Sequence, residues 1–212
     1  IDAAQNGNQA LEACKSHHYH VILCDYDLGK GKTGQQLLEA LRHHKLINRQ
    51  TLFLMVTADT SRQAVLASCE VSADDYITKP INATLLNRRV SRLLIQKKAF
   101  HTAFEAIEND QLPEAIDALA PLALPSSRHQ RLANKLLGEV LLKADELDQA
   151  KAHYLRALDE KESEWARLGL AFVEQARGNL EAANEAFRAI LINNPFCLAA
   201  LDGLAKSYHL QK

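Results

Sequence analysis

Four polar side chains, each at or just after the end of an apolar run, are the candidates for chemistry in this sequence. Asp25 and Asp27 follow the run Val21–Cys24, Thr57 ends the run TLFLMVT, and Lys79 follows the short run DYIT. A carboxylate can act as a nucleophile, and a nearby lysine offsets the negative charge that accumulates during its attack. These residue types therefore suggest reaction with an anionic group, provided that the fold brings them together.

Strands and helices alternate from Ile1 to about Lys98, and these elements must position the four side chains. The periodicity of apolar residues predicts strands at Tyr19–Asp25, Thr51–Thr57 and Asp75–Thr78, and helices at Asn8–His17, Gly34–His44, Ser61–Cys69 and from Asn82 onward. Such alternation is typical of a parallel sheet with right-handed crossovers. The continuous apolar run Val21–Cys24 predicts a strand covered on both faces. Ligands of such sheets bind beyond the carboxyl ends of the strands, so Asp25, Thr57 and Lys79 should converge on one edge.

From about Phe100 the strand patterns stop and helical periodicity continues to the end. Small residues recur at a spacing of roughly 34 residues, namely Ala103, Gly138, Ala171 and Ala205, with a second series at Ala115, Ala150 and Ala183. Each member of the second series precedes a bulkier residue by four positions: Leu119, Tyr154 and Phe187. This pattern resembles the tetratricopeptide repeat, in which small residues let paired helices approach closely. We expect about three and a half repeats and treat an irregular helical bundle as the alternative.

Composition excludes several classes of protein. The chain has 212 residues and a formal net charge of -1, so it lacks the basic excess of a protein that neutralises many phosphates, and nucleic acid is not an expected partner. No apolar run approaches the roughly 20 residues that cross a bilayer. The four cysteines form no CxxC pair, which favours reduced thiols and a cytoplasmic location. The histidines share no spacing with carboxylates or cysteines that would predict a metal site.

Three segments, VILCDYDL, MVTAD and DDYITKP, together resemble the receiver domain of two-component response regulators. The resemblance implies that Asp25 is the phosphoacceptor and that Thr57 is the hydroxyl that closes on the phosphoryl group. It implies that Lys79 is the charge partner of Asp25, that Tyr76 changes rotamer together with Thr57, and that the Lys79-Pro80 bond is cis. Ala58, directly after Thr57, leaves room for the phosphoryl oxygens.

The same resemblance implies a Mg²⁺ ion held by Asp25 and by the backbone carbonyl of Asp27. The side chains of Asp27 and Asp59 are expected to tune how fast water removes the phosphoryl group. Receivers also carry an acidic pair at the end of their first strand, in a sheet of order 2-1-3-4-5, and the sequence contains neither that pair nor that strand. We therefore expect a truncated receiver with an incomplete metal site and weak phosphorylation.

The predicted fold class is α/β followed by all-α. Residues 1–98 are expected to form an incomplete flavodoxin-like doubly wound parallel sheet without its first strand and helix, and residues 99–212 a tetratricopeptide solenoid. The expected function is that of a response regulator, phosphorylated by a histidine kinase or phosphotransfer protein, whose repeats bind a protein or peptide. We expect no enzymatic activity beyond self-dephosphorylation, and no contact with nucleic acid or membrane.

Two other functions remain open from the sequence. Asp25-Tyr26-Asp27 also fits the DxD opening of haloacid-dehalogenase-like phosphatases, although those enzymes place the lysine before a later acidic motif, and here Asp74-Asp75 precede Lys79. A degenerate receiver that acts as a phosphorylation-independent scaffold is the second. Because no proline or glycine lies between Pro80 and Pro113, the last receiver helix is predicted to continue, or nearly continue, into the first helix of the repeats.

Overall fold

The computed structural model describes residues 1–29, 33–58, 73–160, 163–195 and 197–211. The chain divides into two compact units, Ile1–His101 and Thr102–Lys212. The described elements that begin in the first unit are α1 (Gly7–Ser16), β1 (Val21–Asp25), α2 (Gly34–His43), β2 (Leu52–Thr57), β3 (Asp75–Thr78), α3 (Ala83–Ala99) and α4 (His101–Glu108). The helix predicted at 61–69 lies outside the described residues.

The three strands form a parallel sheet in the order β1-β2-β3. Asp25 lies opposite Val56, and Thr57 lies opposite Thr78. The carboxyl ends of all three strands therefore meet at one edge, as the alternation of strands and helices predicts. The described part of the chain contains a receiver-like parallel sheet followed by a predominantly helical region.

Both faces of β2 are covered, and every residue of this strand is buried. On one face Phe53 and Met55 share a core with the α2 leucines Leu37, Leu38 and Leu41. The helix that supplies these leucines begins at Gly34, where Thr33 caps its first turn through a reciprocal side-chain bond with Gln36. On the other face, Leu52, Leu54 and Ile77 pack with Leu93 of α3.

The prediction that β1 is covered on both faces is wrong. Val21 is 37% exposed and Leu23 is 48% exposed, whereas Cys24 is buried. Successive side chains of a strand point to opposite faces, and Cys24 faces the core that contains α1 and α2 residues. The core beneath α3 draws its described strand residues from β2 and β3, so the Leu23 face of β1 remains accessible to solvent in the described part of the molecule.

The last helix of the sheet unit and the helix that follows it are separated by Phe100. α3 ends at Ala99 and α4 begins at His101. Phe100 has φ −94° and ψ 3°, and its N–H donates to the carbonyls of Gln96 and Lys97. The predicted continuity of this helix is therefore interrupted at one residue.

The second unit is helical throughout its described part. After α4 its elements are α5 (Leu112–Leu119), a short 3-10 turn (Ala120–Ala123), α6 (Gln130–Lys143), α7 (Leu147–Glu160), α8 (Glu164–Ala176), α9 (Leu180–Asn193) and α10 (Leu198–Leu210). From α5 onward each helix contacts the next, and α8 also contacts both α6 and α10. Contact with the neighbour and with the second neighbour is the arrangement of a helical stack. No helix among the described residues is both long enough and apolar enough to span a bilayer.

Two large aromatic rings of this stack, those of Tyr154 and Phe187, pack directly against glycines of neighbouring helices. A Cβ atom on Gly138 would lie 2.5 Å from Tyr154 Cε1, and one on Gly169 would lie 2.2 Å from Tyr154 Cζ. A Cβ on Gly203 would lie 2.4 Å from Phe187 Cζ. Each ring therefore needs glycine on the helix that follows it, because any side chain there would occupy the space of the ring.

The sequence series placed its last small residue at the wrong position. Ala205 is exposed, whereas Gly203, two residues earlier, is buried against Phe187. The other members, Ala103, Gly138 and Ala171, are buried as expected. Spacing along the chain cannot separate two small residues that are two positions apart on one helix, whereas their different directions around the helix axis decide which one meets the ring.

Candidate functional site

Asp25 ends β1 at the carboxyl edge of the sheet. Its carboxylate accepts a hydrogen bond from the Nζ of Lys79 and one from the backbone N–H of Asp27, with an N···O distance of 3.2 Å. The Asp25 side chain is 36% exposed, so one side of the carboxylate remains accessible. An accessible carboxylate held by a cation and an amide is suited to accept an electrophilic group.

Thr57 and Lys79 reach the same edge from β2 and β3. Thr57 is the last residue of β2 and is 3% exposed. Its carbonyl accepts from the backbone N–H of Lys79 at 2.9 Å, which fixes the start of the segment after β3. The Lys79-Pro80 bond is cis, as predicted, and Ala58 is exposed beside the site. The structure therefore brings Asp25, Thr57 and Lys79 together.

Gly34 is a residue of this site that the sequence interpretation missed. Its N–H donates to the Tyr26 carbonyl at 2.8 Å. A Cβ atom at Gly34 would lie 2.5 Å from the Asp25 carbonyl oxygen and 2.7 Å from Met55 Sδ. The absence of a side chain at Gly34 lets α2 begin directly against β1. The sequence pattern that could have revealed this is the capping box that starts at Thr33.

Asp27 shapes the turn that follows Asp25. Its Oδ1 accepts from the N–H of Gly29 at 3.0 Å, and Gly29 has φ 80°, a conformation that favours glycine. The carboxylate of Asp27 thus stabilises the loop that leaves the site. Asp59, the second residue predicted to tune dephosphorylation, lies outside the described residues.

Tyr76 lies half-buried in β3 and packs against the core formed by β1, β2 and α2 residues. Its hydroxyl accepts from the N–H of Ala73 at 3.2 Å. A change of rotamer would require this hydroxyl to exchange its bond to Ala73 for another partner.

The described residues include two of the predicted ligands for Mg²⁺, the Asp25 carboxylate and the Asp27 backbone carbonyl. Mg²⁺ takes six oxygen ligands in near-octahedral geometry and usually keeps several of them as water. Among the described residues there is no group of three or more His, Cys, Asp or Glu side chains that could hold a metal ion. The histidines of the first unit that the sequence assigned to solvent, His17, His18, His20, His43 and His44, are exposed.

Cys24, next to Asp25, is protected from reaction by burial. Burial, followed by the charge of Asp25, raises the pKa of its thiol to about 12. Its Sγ lies 3.2 Å from the Asp25 carbonyl oxygen. Because the thiolate is the reactive form, Cys24 contributes packing to the site and not nucleophilic chemistry.

Comparison with known proteins assigns the first part of the chain to a family. The family model of the response regulator receiver domain matches residues 1–91, a range that includes Asp25, Thr57 and Lys79. Residues 1–91 form a receiver domain. Receiver domains accept signals from histidine kinases or phosphotransfer proteins, and the family typically binds Mg²⁺.

The relatives are response regulators. The chain is 30% identical over 131 residues to the regulatory protein VanRB of Enterococcus faecalis. The matched region covers 61% of this chain and 57% of VanRB. It is 32% identical over 136 residues to the transcriptional regulatory protein SrrA of Staphylococcus aureus. That matched region covers 63% of this chain and 52% of SrrA. The chain thus spans just over half the length of these curated relatives.

Proposed function

We propose that the protein is a response regulator in which Asp25 accepts a phosphoryl group and the helical unit transmits the signal by binding another protein. The observation that carries the first part is the ion pair between Lys79 and Asp25 at the carboxyl edge of the sheet. Thr57 ends the neighbouring strand at that edge. This arrangement supplies a nucleophile, a counter-charge and a hydroxyl.

The proposed reaction transfers one phosphoryl group to Asp25. A carboxylate oxygen of Asp25 attacks phosphorus, the new O–P bond forms, and the bond from phosphorus to the donor breaks. The departing group keeps the electron pair of that bond and takes up a proton. The ammonium of Lys79 offsets the charge of the phosphoryl oxygens, and the Thr57 hydroxyl donates to one of them. Apart from hydrolysis of its own acyl phosphate, the protein has no enzymatic activity in this proposal.

The helical unit is proposed to be a tetratricopeptide array. Tyr154 and Phe187 recur at roughly the repeat length, and each ring meets a glycine of the following helix. Arrays of this kind present an extended face to a peptide or a partner helix. In this proposal the output is a protein contact and not DNA binding, and the protein acts in the cytoplasm.

Phosphorylation is tested with acetyl phosphate and Mg²⁺ on the natural protein, including any residues that precede Ile1. Intact mass should rise by one phosphoryl group, and hydroxylamine should remove it. Asp25→Asn should abolish this labelling. Asp27→Asn, which leaves the acceptor in place, is the matched control and should retain it. Labelling that persists in Asp25→Asn would place the acceptor elsewhere, and no labelling of either protein would favour the scaffold alternative.

The output is tested by affinity capture with the phosphorylated protein and with Asp25→Asn. A partner recovered only with the phosphorylated protein supports the proposal. A short Gly-Ser insertion after Lys98 should then abolish the dependence of capture on phosphorylation, because a flexible insertion uncouples α3 from the helices that follow it in the chain. Unchanged dependence in the insertion variant would exclude transmission through α3.

A further inference from the structure

A second charged cluster lies in the first unit, at the end of the sheet opposite the acceptor site. Asp74 precedes β3, and Lys97 lies in the last turn of α3. The Nζ of Lys97 is 2.6 Å from Asp74 Oδ1, and the two side chains are 14% and 17% exposed, respectively. Both side chains are therefore largely buried.

Asp74 is attached to the start of β2 through both its backbone and its side chain. The Asp74 N–H donates to the Phe53 carbonyl at 2.9 Å. The Phe53 N–H donates to Asp74 Oδ2 at 2.8 Å. These two bonds leave the carboxylate little freedom, so its position is set by the sheet.

Lys97 connects this fixed carboxylate to two other segments. It belongs to α3, and its Nζ also donates to the backbone carbonyl of Arg49, in the connection between α2 and β2. The next residue of that connection, Gln50, has its Oε1 2.8 Å from His101 Nδ1. The end of α3 is thereby joined to the α2–β2 connection and to the sheet.

Arg42 and Arg49 add positive charge near Lys97. The pKa of Lys97 is lowered chiefly by burial, is raised by Asp74, and is lowered further by Arg42 and Arg49. The pKa of Arg42 is also lowered, chiefly by burial. Asp74 opposes this shift, and Arg49 increases it. Asp74 therefore stabilises the charged forms of both Lys97 and Arg42. Removing one partner of a buried ion pair is strongly destabilising, because the remaining charge is left without compensation.

We propose that Asp74 and Lys97 form an electrostatic latch that holds the last turn of α3 and the α2–β2 connection against the amino edge of the sheet. The latch lies away from the acceptor site, and its existence does not depend on phosphorylation of Asp25. It determines the position of the helix turn that directly precedes the helical unit in the chain. Asp74 is the central residue of the latch because it is fixed to β2 and interacts with the charges of both Lys97 and Arg42.

The test is hydrogen exchange, followed by mass spectrometry, on peptides that cover the last turn of α3 in the 212-residue protein. Lys97→Met should accelerate exchange there by roughly tenfold, the factor expected for losing a charged hydrogen bond at the low end of its range. Asp74→Asn should accelerate it more, because Lys97 then keeps its charge beside Arg42 and Arg49 without the carboxylate that opposes their effect. Lys98→Met, which changes an exposed lysine of the same turn, is the matched control and should leave exchange unchanged.

Two further measurements separate an electrostatic latch from simple packing. Lys97→Arg restores the positive charge and should return exchange close to that of the unmodified protein. Added salt should reduce the excess effect of Asp74→Asn over Lys97→Met, because screening weakens the repulsion. Exchange in Lys97→Met equal to that of the unmodified protein, or an equal acceleration in Lys98→Met, would overturn the proposal. The Lys97 variants decide the question even if Asp74→Asn fails to fold.

Discussion

Replacing Gly169 by alanine should destabilise the helical unit, although alanine is the better helix former. The added Cβ would lie 2.2, 2.3 and 2.6 Å from three atoms of the Tyr154 ring. The ring cannot move aside, because Tyr154 is 2% exposed and Gly138 lies against it on another helix. Overpacking of a core costs about 1–3 kcal/mol, and three such short contacts place this substitution near the upper value. Alanine stabilises a helix by about 1 kcal/mol relative to glycine. The expected net loss in the free energy of unfolding is therefore about 2 kcal/mol.

The assay is urea unfolding followed by the fluorescence of Trp165. This residue is the single tryptophan of the chain, and its ring centroid lies 5.9 Å from that of Tyr154, so its emission reports on the helical unit. Ala205→Gly, at an exposed position of α10, measures the difference in helix propensity between alanine and glycine alone. It should lower the free energy of unfolding by about 1 kcal/mol. The double variant Gly169→Ala with Tyr154→Leu should recover part of the loss caused by overpacking, because leucine has no ring at the site of the clash.

The sign of the result is decisive. Helix propensity alone predicts that Gly169→Ala is more stable than the unmodified protein, whereas close approach of Tyr154 predicts that it is less stable. An increase in the urea midpoint at an unchanged slope would refute the close packing of the two helices at this point. An equal loss in the single variant and in a Tyr154→Leu background would assign the loss to another contact.

Three further predictions concern single groups. Lys79→Met should slow the labelling of Asp25 by acetyl phosphate by roughly 100-fold, the usual loss when one charge-stabilising group is removed; an unchanged rate would exclude this role. Burial lowers the pKa of His153, so the unfolded state binds more protons between the folded and unfolded pKa values, and stability should fall as the pH falls from 7 to 5. The urea midpoint should show a weaker dependence on pH in His153→Gln. Because the pKa of Cys24 is raised to about 12, iodoacetamide should modify it only when urea unfolds the sheet, as peptide mass spectrometry would show; rapid modification of the folded protein would contradict its burial.

The order of the elements and the sheet edge that carries the candidate site could be predicted from the sequence. The strands end at Asp25, Thr57 and Thr78 as predicted, because apolar runs and helical periodicity are local properties of the chain. Connections long enough to contain a helix favour parallel strands, and parallel strands place their carboxyl ends together. Those two rules bring Asp25, Thr57 and Lys79 together without knowledge of any contact.

Contacts between distant segments were decided only by the tertiary structure. Periodicity could not show that Leu23 is exposed, because that depends on which strands α3 covers. It could not distinguish Gly203 from Ala205, nor show that Gly34 touches the Asp25 carbonyl. The pairing of Lys97 with Asp74 could not be predicted either, because Asp74 lies outside the helix that contains Lys97. Sequence patterns describe which face a residue occupies on its own element, whereas burial and pairing depend on how that element docks against others.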